Sequence, residues 1–241
     1  MPRSSQYLLE GYTYHLTHRC HNRKFLLNFA RDKEAYAKWL REGVHRYGVS
    51  IYGFCITNNH VHIIAHVDCV EDVGNLMKLA AGSTAKQYNL RKGHLGSFWE
   101  HPYQCTMIQD GRHLFNCLCY VDLNMVRAGE VTHPREWRWC GYNELIGKRT
   151  RCRIIDTNRL LESLNISEKD GFRKSYIDAI ERRLANDNNA REAHWTESLA
   201  VGSKGFTEQC RSLYSRRSQF DIYETPGTDA NTWTIKEPPT S

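Results

Sequence analysis

The sequence has no run of 18 or more apolar residues, so hydropathy offers no membrane-spanning helix. Its opening stretch, Met-Pro-Arg-Ser-Ser-Gln, carries no apolar core of the kind that directs export, and a cytoplasmic location is expected. No CxxC pair occurs. The nine cysteines are odd in number and scattered, which reads as reduced thiols rather than a disulfide framework or a zinc cage. The phosphate-cradling pattern GxxxxGK followed by Ser or Thr is also missing, so no ATP-driven chemistry is signalled. There is no internal repeat and little charge imbalance. Thirty-three Lys and Arg against 27 Asp and Glu leave a net charge of +6, which permits a polyanionic partner without establishing one.

What is present is enough for one sizeable core, with 241 residues at 40% apolar content. Strand-favouring residues alternate over 12–20, and an amphipathic helix is expected over 31–47, stopped by Gly48. Two β-rich runs, 50–56 and 60–67, flank Thr57-Asn58-Asn59. Asparagines tolerate left-handed backbone, so this reads as a hairpin tip. A helix over 71–90, a strand over 103–108 and a helix over 111–128 follow, the last stopped by Gly129. This order predicts an α+β domain with helices packed on a central antiparallel sheet. Beyond about 150 the pattern weakens, with a helix expected at 167–185, a polar linker at 185–192 and disorder over 225–241.

The stretch "NNHVHII" puts His60 and His62 on one face of a strand, their Cα atoms roughly 6.6 Å apart. A shared metal ion and an ordinary hydrogen-bonded histidine pair both fit that spacing. The helix "GRHLFNCLCYVDLNMVRAG" carries two stripes. Leu114, Leu118, Val121, Met125 and Ala128 form a core-facing one. His113, Asn116, Tyr120, Asn124 and Arg127 form a polar one about 100° around the axis. A phenol, an amide and a guanidinium in successive turns exceed what a solvated face needs.

Together "CITNNHVHIIAH" and "CYVDLNMVRAG" resemble the two signatures of the HUH-type single-tyrosine transposases of the IS200-like superfamily, and more narrowly the REP-associated tyrosine transposases. The stretches "GYTYHLTHRCHNR", "GSFWEHPYQCTMI" and "PREWRWCGY" have family counterparts in the same order, so the resemblance covers about residues 8–145. "HWTESLAVGSKGF" is similar to a C-terminal extension of some longer members.

The resemblance implies a ferredoxin-like HUH nuclease fold over 1–148, a mostly helical extension over 149–224 and a disordered tail over 225–241. It implies Tyr120 as nucleophile and His60, His62 and Asn124 as ligands of a divalent ion, Mg²⁺ or Mn²⁺ in relatives, although ligand preference alone also admits zinc. The expected activity is nicking and rejoining of single-stranded DNA beside hairpins through a 5′-phosphotyrosine, by a nucleoid-associated protein that is a monomer or a homodimer. Arg19, Arg23, Lys24 and Arg127 are the candidate phosphate contacts, and Trp99, Tyr103 and Trp137 the candidate stacking platforms, Trp137 reading more readily as core. Two departures from the family pattern, Met125 for Pro and Thr57-Asn58 for Met-Pro, remove no catalytic position. A noncatalytic hairpin-binding protein and a water-using phosphodiesterase are the alternatives.

Overall fold

A computed structural model describes residues 7–93, 95–186, 190–214, 220–225 and 231–236. Its first part runs β1 (Tyr12–Arg19), α1 (Ala30–Tyr47), β2 (Ser50–Ile56), β3 (His60–Val67), α2 (Val70–Lys92) and β4 (Gln104–Ile108). The strand order is β2-β3-β1-β4, and every neighbouring pair is antiparallel. This is the ferredoxin-like arrangement, a split βαβ unit doubled.

The α+β class is as the sequence predicts. Both long helices end on a glycine in the left-handed region, Gly48 at φ 66° and Gly93 at φ 60°, where a side chain would be strained. The two helices cover one sheet face. His18 on that face stacks on Trp99, which meets Tyr36 of α1 edge-on and donates its indole N–H to the Ala81 carbonyl of α2.

The opposite face carries the histidines of β3 and receives α3 (Arg112–Asp122). Gly53 in β2 makes the approach possible, because a Cβ there would lie 2.8 Å from Leu118 Cδ2. The helix expected over 111–128 is interrupted. Leu123, at φ −78° and ψ 1°, separates α3 from the short α4 (Asn124–Arg127). Met125 therefore does not bring the straight continuation that its replacement of Pro suggests.

The chain continues through α5 (Tyr142–Leu145), α6 (Thr157–Ser163), α7 (Lys169–Ala185) and α8 (His194–Glu197). It ends with β5 (Ala200–Gly202), α9 (Lys204–Tyr214), β6 (Asp221–Glu224) and β7 (Trp233–Lys236). The C-terminal part is thus not simply helical: β5 pairs in parallel with β4, and β7 and then β6 extend the sheet to seven strands, making it mixed. Disorder expected over 225–241 gives way to β7, whose Ile235 is fully buried; 226–230 and 237–241 lie outside the described residues. So do 187–189 of the expected linker. Apolar burial of Ile235, Ala200 and Val201 outweighs the polar composition around them.

Candidate active site

The hairpin tip between β2 and β3 is built by side chains rather than by left-handed backbone. Neither Asn58 nor Asn59 has a positive φ. Instead Thr57 Oγ1 accepts from the N–H groups of Asn59 and His60, at 3.3 and 3.1 Å. Asn58 Nδ2 donates to Glu130 at 2.9 Å, and Asn59 Nδ2 donates to the Arg23 carbonyl at 3.1 Å. The second bond fixes the Asn59 amide, so its oxygen faces His60 Nδ1 at 2.7 Å. An amide oxygen only accepts. His60 therefore carries its proton on Nδ1 and presents the lone pair of Nε2.

His62 stands beside it, with ring centroids 4.6 Å apart, and is 2% exposed. Burial pushes the His60 imidazole down to about 3, helped by Arg19. The same desolvation, followed by the His60 and His15 rings and Arg127, holds His62 well below its ordinary value. Both are neutral at physiological pH, the state in which an imidazole ligates a metal.

α3 lays Tyr120 against this pair. Its ring centroid is 6.3 Å from that of His62 and 6.2 Å from that of His15 on β1. The side chain is 3% exposed, and burial raises its phenol pKa while Arg127 opposes the rise. Arg127, expected at a phosphate, packs on Tyr120. Its guanidinium carbon sits 4.1 Å from the Tyr120 ring centroid, and Nη2 donates to the Tyr120 carbonyl at 2.6 Å. Seven residues, about two helical turns, separate the guanidinium from the phenol it covers.

Asn124 opens α4, half-buried, and its side-chain N–H₂ group is buried with no partner among the described residues. The Nε2 of His62 is likewise buried and unpartnered. Among the described residues no three His, Cys, Asp or Glu side chains are grouped to hold a metal ion. Two imidazoles and an amide are the donors available here. The bare Nε2 lone pair of His62 fits a cation, whereas Asn124 could ligate one only through its amide oxygen, its orphaned N–H₂ group fitting an acceptor instead; an orphaned buried donor or acceptor costs about 1–3 kcal/mol.

The three remaining basic candidates gather at the His60 end of the sheet. Arg19 is exposed and pairs in register with His60; Arg23 and Lys24 are exposed in the loop after β1. The stacking candidates are structural. Trp99 is held as described above, Tyr103 is 9% exposed, and Trp137 donates its indole N–H to the Ile56 carbonyl. Exposed rings beside the basic loop are Phe25 and Phe29, at 65% and 54% exposure.

Sequence reasoning missed the second wall of the site, which the C-terminal part supplies. The Trp195 ring of α8 lies 6.3 Å from that of Tyr120. Its indole N–H donates to Glu192, which pairs with Arg183 of α7, and Arg183 in turn donates to Asn116 on the polar stripe of α3. Only the polar character of that stripe hinted that something covers it.

Residues 9–122 match the profile of the family described as "Transposase IS200 like", a span that takes in His60, His62 and Tyr120 and stops short of Asn124. No curated protein matches the chain. A solved structure described as a REP-associated tyrosine transposase bound to a REP hairpin is similar at 16% sequence identity and a TM-score of 0.49, over 61% of this chain and 87% of that one.

Proposed function

We propose that this protein, whose residues 9–122 match the IS200-like transposase profile, cuts and rejoins single-stranded DNA beside hairpins, with Tyr120 as the nucleophile. The observation that carries the reading is the Tyr120 ring, its centroid 6.3 Å from that of His62, whose Nε2 is buried with no partner among the described residues. His60 and His62 would hold a divalent ion through Nε2, with the Asn124 amide as third ligand. When bound, Mg²⁺ or Mn²⁺ supplies Lewis acidity to the scissile phosphate.

In the cut, the Tyr120 oxygen gives up its proton and bonds to phosphorus. The bond from phosphorus to the 3′-oxygen breaks, and that oxygen takes a proton to become a free 3′-hydroxyl. The 5′-phosphotyrosine retains the bond energy, so rejoining by a 3′-hydroxyl needs no nucleotide cofactor. Arg127 favours the phenolate by its charge. Trp195 keeps water from the ester, and Arg19, Arg23 and Lys24 hold the strand leading to the histidine end. All of these residues belong to one chain, so a monomer suffices for the proposed chemistry.

Incubation with labelled hairpin DNA and Mn²⁺ followed by denaturation tests this. A covalent adduct in the wild type that is lost in Tyr120→Phe is expected. Cleavage that persists in Tyr120→Phe replaces the reading with a water-using phosphodiesterase. A second reading, hairpin binding without cleavage, is favoured by one observation, the 3% exposure of Tyr120 beneath Arg127 and Trp195; binding with no adduct would establish it.

A further inference from the structure

His15, on β1, touches no substrate in the chemistry above, yet it is 1% exposed and its two ring nitrogens are both engaged at short range. Nδ1 lies 2.7 Å from the backbone carbonyl oxygen of Trp195, and Nε2 lies 2.8 Å from Nδ1 of His62. The two rings lie near one plane, with centroids 5.0 Å apart and planes inclined by 19°, as a bond between ring nitrogens requires. Neither of these bonds of His15 reaches a carboxylate, and burial, with the positive charge of Arg127 adding to it, keeps the imidazole neutral.

The donor and acceptor roles then follow in sequence. A carbonyl oxygen has no proton to give, so the Nδ1 of His15 carries the hydrogen and donates it. A neutral imidazole has only one N–H, so His15 Nε2 is an acceptor. His62 Nδ1 must supply the proton of the 2.8 Å bond. That leaves His62 Nε2 bare, and it is the buried, unpartnered atom of this pair.

We infer that His15 is a positioning residue: it relays the polarity of the Trp195 carbonyl to His62 and locks that imidazole in the tautomer whose Nε2 lone pair faces the Tyr120 pocket. The C-terminal part of the chain thereby sets the ligand geometry of a site otherwise built by β3 and α3. Trp195 lies outside the span that matches the transposase family, so this device belongs to the longer chain. His60 reaches the same tautomer by a different route, through Asn59. The inference rests on the proposed function only for its consequence, metal binding; the tautomer itself is a property of the metal-free protein.

The test separates the two. Long-range ¹H–¹⁵N correlation spectra of the metal-free full chain, with His62 assigned by comparison with His62→Gln, report which of its nitrogens is protonated. The expected result is Nδ1–H in the wild type. Nε2–H as the main form would overturn the inference without needing any variant. His15→Leu removes the relay, and Mn²⁺ affinity measured by calorimetry should fall about 10- to 100-fold, the usual cost of losing a partner that orients a ligating histidine.

His15→Gln keeps a donor toward Trp195 and an acceptor toward His62, and should bind Mn²⁺ close to the wild-type level. Wild-type affinity in a folded His15→Leu, or equal losses in the Leu and Gln variants, refutes the relay. If His15→Leu does not fold, the wild-type tautomer and the Gln variant still decide. A wild-type chain that binds no Mn²⁺ refutes the metal reading of the function, while the spectra still decide the relay.

Discussion

A guanidinium 4.1 Å above the Tyr120 ring acts on that phenol twice, by charge and by tethering the backbone carbonyl one atom group away. Burial disfavours the phenolate, and Arg127 is the largest influence opposing it. Removing it leaves the desolvation uncompensated. Arg127→Ala is expected to slow adduct formation on the order of 10- to 100-fold, and to lower the midpoint of thermal unfolding, since a buried charged hydrogen bond contributes about 1.5–3 kcal/mol. Binding of hairpin DNA should change little, because the side chain does not face the basic loop. Single-turnover cleavage and a filter-binding titration check the two halves of this statement. His60→Ala, His62→Ala and Asn124→Ala are expected to abolish Mn²⁺-dependent cleavage while hairpin affinity survives, as gel shift would report. Full activity in the double histidine variant would remove the metal from the account.

At the scale of elements, the position of α3 is set by a missing side chain. A methyl at Gly53 would meet Leu118 Cδ2 at 2.8 Å, and α3 carries Tyr120 two positions further on. Gly53→Ala should therefore cost about 1–3 kcal/mol by overpacking and shift Tyr120, the proposed nucleophile, as well, so cleavage is expected to fall more than stability alone explains. Comparing the unfolding midpoint with the cleavage rate below that midpoint measures the difference. The same scale explains what was legible. β1, β2, β3 and the two long helices announce themselves because seven or more residues carry a period, and glycines mark the helix ends. β5, β6 and β7 have three or four residues each, too few for any period, and β5, on which the other two build, pairs with a strand more than 90 residues away. Tyr120, His60 and His62 could be singled out because their residue types and spacing coincide, and the fold brings their rings together. His15 could not: in "YTYHLTHR" it is one polar member of an alternating run, and its partners at 62 and 195 are brought by the fold.

For the whole molecule, several buried imidazoles are held neutral: burial pushes His15, His18 and His194 down to about 4. The unfolded chain takes up protons at these positions near pH 6.5, while the folded chain refuses them until about pH 4. Stability is thus complete above about 6.5 and is lost as pH falls toward 4, each such group contributing on the order of 3 kcal/mol. His18, stacked on Trp99 away from the proposed active site, isolates the effect: His18→Phe should flatten the fall in urea-unfolding free energy between pH 6.5 and 4. Hairpin affinity should weaken steeply with salt, as phosphate contacts by Arg19, Arg23 and Lys24 require. Light scattering on the purified chain is expected to give one copy, near 28.1 kDa.

The parallel pairing of β4 with β5 has a last consequence. Without it, β4 would end the ferredoxin-like sheet as an unprotected rim of N–H and C=O groups carrying Met107 and Ile108, a template on which strands of other molecules can add. A chain cut after residue 148 would keep Tyr120, His60, His62 and Asn124, though not Trp195, and should clump. The C-terminal part is in that sense a guard, insulating the sheet from its own kind.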